Sequence, residues 1–182
     1  MTSCDYSSDG NYFCCTVDIV NTVYIYDART QSLLHTLKMD STPTTVEFSP
    51  NSQRVAIGTI RGKIIVWDVM SQTSTIQCHD HTNAVSCVSF DSEERILASC
   101  SWDKSIRMID VSTGEYRSKG TVVEPFVIAH HGSVSSIRIF NSSELMVSGG
   151  YDKRIMIWNI NQKMAKIPIK GHQDWVTVST SQ

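Results

Sequence analysis

The chain has 182 residues, of which 41% are hydrophobic; this composition is typical of a soluble globular protein, and the length predicts one domain. It carries 16 basic and 18 acidic residues, for a formal net charge of −2. Because no excess of positive charge creates a field that attracts phosphate groups, the composition predicts neither nucleic acid nor a membrane as a partner.

The first ten residues, "MTSCDYSSDG", show no charged segment followed by an apolar one, and no apolar run is long enough to cross a bilayer. These features predict an intracellular protein, cytoplasmic or nuclear. The cysteines show no CxxC spacing and are therefore expected to be reduced thiols. There are six of them: Cys4, Cys14, Cys15, Cys78, Cys87 and Cys100.

One short element recurs four times along the chain, as "VYIYDA", "IIVWDV", "IRMIDV" and "IMIWNI". In each copy a large apolar residue precedes Asp or Asn. These residues are Tyr26, Trp67, Ile109 and Trp158, at intervals of 41, 42 and 49 residues. A period of this length indicates a repeat protein in which each repeat is one supersecondary unit.

Each repeat predicts four strands in chain order. The first strand runs into a polar turn in "CDYSSDG", "VEFSPNS", "VSFDSEE" and "IRIFNSS". The second follows in "RVAIGT", "RILASCS" and "ELMVSGG", the third carries the repeated element, and the fourth is expected in "SLLHTL", "STIQCH", "PFVIAH" and "MAKIPIK". Since no segment shows 3.6-residue periodicity over helical length, the sequence predicts an all-β protein.

The stretches "ASCSWDKSIRMID", "VSGGYDKRIMIWN" and "GHQDWV" resemble the WD40-repeat family, whose repeats of about 40 to 45 residues each form one four-stranded propeller blade. The resemblance covers essentially the whole chain. It implies an incomplete WD40 β-propeller of about four blades plus the first strand of a fifth. The expected blades span residues 1–37, 44–79, 84–130 and 134–170, and the lone strand spans residues 174–180.

WD40 propellers close at about seven blades, within the range of roughly 4 to 8 known for propellers. The chain is therefore expected to be a fragment, a truncated gene model or a splice product. An open arc leaves sheet faces and strand edges without partners. Self-association through the open ends is the expected consequence.

The fourth repeat carries a polar quartet of His130, Ser148, Asp152 and Trp158. The family pattern implies that these four side chains form one buried hydrogen-bond network. The third repeat has His81, Ser99 and Asp103 but Ile109 in place of the indole; the second has Trp67, with Met39, Ile57 and Arg61 at the other positions.

The same residue types also suggest a Ser/His/Asp hydrolase. No Gly-x-Ser-x-Gly elbow opening a helix is present, however, and a triad is recognised by geometry and not by residue types. The framework interpretation is favoured, and no enzyme activity is predicted.

Two further motifs resemble ligand sites. "CHDH" (residues 78–81) has metal-ligand types, but no second ligand pair lies at zinc spacing. "GTIRGKI" from Gly58 resembles a phosphate loop, but its lysine comes one residue early and Ile64 stands at the Ser/Thr position. Neither a metal nor a cofactor is predicted.

Partners of WD40 proteins dock where loops meet at the rim, and large exposed aromatics dominate interface energies. The expected binding rim contains Trp102, Tyr151 and Trp175, flanked by Arg61 and His131. The alternative is that these rings pack against neighbouring blades. The extra residues of the longest interval, residues 114–125, are expected to form a loop.

The predicted function is a non-enzymatic scaffold that presents loops to other proteins or peptides and helps to assemble a complex. An alternative is a substrate-receptor or adaptor subunit of a cullin-type ubiquitin ligase, because "YDAR" (residues 26–29) resembles the Trp-Asp-x-Arg docking motif of that class. Tyr26 in place of Trp weakens this match.

Overall fold

The computed structural model describes residues 3–115, 130–140, 144–160, 164–169 and 171–177. Within these ranges all regular structure is β-strand, and the all-β prediction is confirmed. No helix in the described ranges has the length and apolar character needed to cross a membrane. The described chain divides into two compact units, residues 1–85 and 86–182.

The first unit contains two four-stranded antiparallel sheets, each a meander in which sequential strands pair. Alternating side chains and short polar turns account for this arrangement. The first sheet consists of β1 (Cys4–Tyr6), β2 (Tyr12–Val17), β3 (Thr22–Asp27) and β4 (Leu33–Lys38). The second consists of β5 (Pro43–Phe48), β6 (Arg54–Thr59), β7 (Lys63–Asp68) and β8 (Thr73–His79).

The second unit follows the same order. Its first sheet has three described strands: β9 (Val85–Phe90, whose first residue falls in the first unit), β10 (Ile96–Ser101) and β11 (Ile106–Asp110). The strand predicted in "PFVIAH" falls mostly on residues 125–129, which lie outside the described residues. The next sheet consists of β12 (Val134–Ile139), β13 (Leu145–Gly150), β14 (Ile155–Asn159) and β15 (Met164–Ile169).

The repeated large residues occupy one register position in all four sheets. Each lies on the third strand of its sheet, opposite a second-strand residue: Tyr26 pairs with Phe13, Trp67 with Val55, Ile109 with Leu97 and Trp158 with Met146. The repeats seen in the sequence are therefore equivalent in backbone structure.

The turn after the second strand uses a left-handed residue in all four sheets. In the first sheet this residue is Asn21, with a φ of 50°. Gly62, Lys104 and Lys153 have φ values of 81°, 72° and 66°. Only glycine fits at the first of these positions, because a Cβ on Gly62 would lie 2.0 Å from the carbonyl oxygen of His81. The two lysines adopt a conformation that L-residues favour less.

Within each unit, one face of the earlier sheet packs on the opposite face of the later one. In the first unit, buried side chains of β2 and β3 meet those of β5, β6 and β7, with Val23 and Ile25 against Phe48 and Trp67 in one cluster. In the second unit, Ala98, Cys100 and Met108 share a cluster with Ile137, Met146 and Trp158. Burial of these apolar faces is the main stabilising force.

A hydroxyl at the start of the first strand joins neighbouring segments in a recurring way. Thr44 Oγ1 lies 3.1 Å from Gly58 O and 2.5 Å from Val85 O. Ser86 Oγ makes the same pair of contacts with Cys100 O and Val134 O, and Ser135 Oγ does so with Gly149 O and Val176 O. The intervals from Thr44 to Ser86 and from Ser86 to Ser135 are 42 and 49 residues, as for the large apolar positions.

Residues 171–177 lie along the last sheet. Val176 is buried, its amide donates to Gly150 O at 3.2 Å, and its carbonyl receives the hydroxyl of Ser135. The described part of the predicted lone strand, residues 174–177, carries no strand assignment, and residues 178–180 lie outside the described residues.

Candidate functional site

The polar quartet of the fourth repeat forms one continuous chain of hydrogen bonds. His130 Nδ1 lies 2.8 Å from Asp152 Oδ1, and His130 Nε2 lies 2.7 Å from Ser148 Oγ. The indole Nε1 of Trp158 donates to the same hydroxyl oxygen at 2.9 Å. His130 comes from the loop before β12, Ser148 from β13, Asp152 from the turn after it and Trp158 from β14.

One arrangement of protons satisfies every donor and acceptor of the quartet. The indole N–H only donates, so Ser148 Oγ accepts from Trp158. The hydroxyl proton is then free to bond His130 Nε2, which leaves the Nδ1–H of the imidazole to donate to Asp152. In this arrangement a neutral imidazole satisfies every polar atom of the network.

Asp152 is an ionised anchor for the loop that carries the imidazole. Its Oδ2 accepts from the backbone N–H of His131 at 3.0 Å, and Oδ1 accepts from that of Arg154 at 3.2 Å. Burial raises the pKa of the carboxyl, but the hydrogen bond from His130, with these two backbone bonds, outweighs burial. The pKa of Asp152 therefore lies below its ordinary value of 3.8.

Gly150 belongs to the site, although the sequence analysis did not single it out. A Cβ at this position would lie 2.7 Å from His130 Nδ1 and 3.0 Å from Asp152 Oδ1. The imidazole therefore packs directly on the glycine backbone. The double glycine before Tyr151 is the sequence signal that could have indicated this close approach.

The hydrogen bonds run from Ser148 to His130 to Asp152, in the same order as in a hydrolase triad. The hydroxyl of Ser148, however, is not accessible to solvent. Ser148 has no exposed surface and His130 is 2% exposed. A nucleophilic hydroxyl must reach a substrate carbonyl beside an oxyanion hole, whereas here Ser148 is fully buried and its Oγ accepts the indole N–H of Trp158. This geometry suits a structural network better than acyl transfer.

The third repeat shows part of the same arrangement. Asp103 Oδ1 accepts from the backbone N–H of Ser105 at 2.9 Å and from its hydroxyl at 2.6 Å. Ser99 and Ile109 are fully buried on neighbouring strands. His81 belongs to the other unit, where its side chain is 2% exposed.

The name aromatic surface refers to three side chains that the sequence proposed for the rim: Trp102, Tyr151 and Trp175. Trp102 is 47% exposed and Trp175 is 61% exposed. Tyr151 is half-buried, and its ring stacks on Trp175 with a centroid distance of 4.9 Å and an interplanar angle of 18°. Two of the three rings therefore support one another while remaining open to solvent.

Ser133 links the turns that carry this surface. Its hydroxyl donates to the carbonyl of Trp102 at 3.2 Å, and its own carbonyl accepts from the amide of Tyr151 at 2.9 Å. His131, two residues earlier, has an exposed side chain. Arg61 is also exposed, on the corresponding turn of the other unit.

The first unit contains a cleft of about 580 Å³ between β4 and the pair β7 and β8. Within it, His35 meets the edge of Trp67 at a centroid distance of 5.1 Å. Lys63 Nζ and Asp40 Oδ2 form an ion pair at 3.0 Å on its wall. Sequence reasoning missed this cleft, because only the pairing of sheets brings these residues together.

The other ligand-like motifs have ordinary structural positions. "GTIRGKI" forms the end of β6, its turn and the start of β7, and the described residues contain no group of three or more His, Cys, Asp or Glu that could hold a metal ion. In "YDAR", Asp27 Oδ1 accepts from the amides of Arg29 and Thr30 at 2.9 and 2.7 Å. Arg29 is exposed.

Comparisons with known proteins agree with this architecture. The family described as "Nucleolar protein 10-like, N-terminal domain" matches residues 2–168. Periodic tryptophan protein 2 of Arabidopsis thaliana is 27% identical over 95% of this chain and 19% of its own length. Nuclear distribution protein PAC1 of Arthroderma otae is 31% identical over 72% of this chain and 29% of its own length.

Among solved structures, a chain of "Crystal Structure of Mitotic Checkpoint Complex" superposes with a TM-score of 0.82 and 20% identity. The match covers 96% of the present chain and 50% of the other. At this identity the likeness concerns the fold, which is the WD40 β-propeller fold expected from the repeats. The chain spans less than a third of the length of the two curated relatives above.

Proposed function

Because this chain belongs to the WD40 β-propeller family, with the nucleolar protein 10-like N-terminal domains, we propose that it is a non-enzymatic scaffold that docks proteins or peptides on its aromatic surface. The observation that carries the proposal is the position of Trp102, Tyr151 and Trp175, which present open rings on hydrogen-bonded turns. Rigid aromatic rings bind with little loss of conformational entropy.

The buried quartet supports the non-enzymatic part of the proposal. The hydroxyl of Ser148 bonds both His130 and Trp158 within the core. Its removal would therefore destabilise the folded protein and not remove a catalytic group. Its role is to hold the turn of Asp152 and, one residue earlier, the ring of Tyr151. The buried quartet thus orients the turn that carries Tyr151, one of the docking residues of the aromatic surface.

Alanine substitution of the exposed rings tests the proposal. Trp102→Ala and Trp175→Ala are expected to reduce capture of protein partners from a nuclear or cytosolic extract at least tenfold. The melting temperature of Trp102→Ala should change little, and that of Trp175→Ala should fall only by the small amount that its stack on Tyr151 contributes. Phe140→Ala is the matched control, since Phe140 is 41% exposed beyond the opposite end of β12. If the ring variants melt markedly lower, the rings serve packing and docking is excluded.

A nuclear or cytoplasmic location goes with this function. The family description refers to nucleolar proteins, and the near-balanced charge favours protein partners over nucleic acid or membranes. Imaging of a tagged chain and binding assays with RNA and anionic vesicles test these points. Within the family, "SWDKSIRMIDVSTGEYRSKG" and "HHGSVSSIRIF" suggest kinship to WD repeat-containing protein 88.

Self-association is a further part of the proposal. One face of the first sheet carries a row of rings, with Phe13 stacked on Tyr26 at 4.8 Å and Tyr6 at 5.6 Å from Phe13. Tyr6 is 67% exposed, and aromatic rows of this kind are common at interfaces. Sedimentation velocity is expected to detect a dimer that Tyr6→Glu weakens; a strictly monomeric chain would contradict it.

The ubiquitin-ligase hypothesis is retained as a second candidate because Arg29 is exposed in the "YDAR" turn. Its guanidinium is available to a partner, whereas Asp27 is engaged by the turn amides. Arg29→Ala is expected to abolish co-purification with a cullin-type ligase core. Equal recovery with wild type and variant would exclude this function and leave the scaffold proposal intact.

A further inference from the structure

Two cysteines face one another across the first hairpin of the chain. Cys4 on β1 is the register partner of Cys15 on β2. Directly opposed residues of an antiparallel pair point to the same face of the sheet. The neighbouring Cys14 points to the other face, where it is fully buried among the residues of the first core cluster.

The hydrogen bonds around this pair show which kind of position it is. The amide of Thr16 donates to Ser3 O at 2.9 Å, and the amide of Ser7 donates to Tyr12 O at 2.9 Å. Hydrogen-bonded and non-hydrogen-bonded pairs alternate along an antiparallel ladder, so the pair of Cys4 and Cys15 is non-hydrogen-bonded. Cα atoms of such pairs lie about 4.5 Å apart, which is within the range of about 4.4 to 6.8 Å found for disulfides.

The environments of the three thiols differ. Cys4 is exposed and Cys15 is half-buried. Burial raises the pKa of Cys15, and the neighbouring Cys4 raises it further. Burial raises the pKa of Cys14 far more strongly, so that Cys14 is expected to be inert. A dissolved oxidant therefore reaches Cys4 first, with Cys15 beside it to complete the reaction.

We propose that Cys4 and Cys15 form a site of reversible oxidation, at which hydroperoxides convert the two thiols into a disulfide across β1 and β2. This inference is independent of the proposed docking function. In a reducing compartment the pair would be a dithiol, and a thiol reductant would restore it after oxidation.

The reaction balances with hydrogen peroxide as the oxidant. The thiolate of Cys4 attacks one peroxide oxygen; an S–O bond forms, the O–O bond breaks, and hydroxide leaves with the thiol proton as water. The thiol of Cys15 then attacks the sulfenic sulfur, forming the S–S bond as the S–O bond breaks, and a second water leaves. Two thiols lose two electrons and two protons, and the peroxide is reduced to two waters.

A second pair of thiols provides an internal comparison. Cys87 and Cys100 are hydrogen-bonded to each other, and this bond lowers the pKa of Cys87 while burial raises that of Cys100. Cys100 is fully buried in the second core cluster and also contacts Ser86 Oγ at 3.3 Å. The two pairs differ in their access to solvent, because Cys4 is exposed whereas neither Cys87 nor Cys100 is.

Peptide mapping of the full chain tests the proposal. After treatment with one equivalent of hydrogen peroxide and alkylation, cleavage before aspartate separates residues 1–4 from residues 9–17. We expect these two peptides to be linked, and dithiothreitol to release them. Cys15→Ser is expected to abolish the link, whereas Cys14→Ser and Cys78→Ser, the matched controls, should retain it.

The oxidised hairpin is also expected to be more stable. Closing the short loop between the two cysteines should raise the melting temperature by several degrees and slow amide exchange in β1 at least tenfold. A link that uses Cys14, a predominant link between Cys87 and Cys100, a disulfide between two chains, or oxidation of single thiols without any link would each overturn the proposal.

Discussion

The hydroxyl of Ser148 receives the indole N–H of Trp158 at 2.9 Å and lies 2.7 Å from His130 Nε2, with no surface exposed to solvent. Ser148→Ala would leave the indole donor and the imidazole acceptor unpaired in the core. Since each unsatisfied buried group costs about 1 to 3 kcal/mol, we expect the free energy of unfolding to fall by about 2 to 4 kcal/mol, measured by urea denaturation.

Ser8→Ala is the control for this measurement. Ser8 is exposed on the turn after β1, and its loss is expected to change stability by less than about 0.5 kcal/mol. A similarly small effect of Ser148→Ala would show that the network does not stabilise the fold.

Asp152 is expected to give the protein a specific acid sensitivity. Its pKa is lowered in the folded state, so its contribution to stability is present above the unfolded value of about 3.8 and is lost as the pH falls through the folded pKa. Asp152→Asn should therefore be less stable than wild type at pH 7, and the difference should shrink below about pH 4. Denaturation at several pH values checks this; a constant difference would contradict it.

Gly149 is predicted to be intolerant of a side chain. A Cβ there would lie 2.5 Å from Val176 Cγ1 and 3.2 Å from Ser136 Oγ. Gly149→Ala is expected to lower the free energy of unfolding by about 1 to 3 kcal/mol, as overpacking does. Gly171→Ala is the control, because no atom lies within 4 Å of its Cβ, and Val176→Ala in the Gly149→Ala background should recover part of the loss.

The stacked rings of Tyr151 and Trp175 are expected to be energetically coupled. A double-mutant cycle with alanine at each position should give a coupling of about 0.5 to 1.5 kcal/mol, the range for aromatic pairs. The cycle is measured by thermal or urea unfolding. A value near zero would mean that the ring of Trp175 is not held by Tyr151 in solution.

Replacement of Lys104 by glycine is expected to stabilise the protein. Its φ of 72° costs an L-residue about 1 to 2 kcal/mol, whereas glycine in this conformation loses only its greater unfolded-state entropy of about 0.4 to 1 kcal/mol. Lys104→Gly should therefore stabilise the protein by about 0.5 kcal/mol. The exposed Lys38→Gly, within β4, is the opposite control and should destabilise it.

The sequence by itself determined the kind of secondary structure and the order of the strands. Alternating apolar residues and polar turns are local signals, and the recurrence of Tyr26, Trp67, Ile109 and Trp158 places each third strand in one register. The quartet of the fourth repeat was chosen by the family pattern and not by its spacing. No local signal indicated that its serine would be fully buried and hydrogen-bonded to the indole of Trp158.

Only the tertiary structure decided which residues meet across strands and sheets. The contacts of Gly150 with His130, of Ser133 with two turns and of Cys4 with Cys15 join positions that are distant along the chain. Such contacts depend on register, bulges and the packing of one sheet on the next, and a change of one residue in register would move every side chain to the other face. Local periodicity carries no information about them.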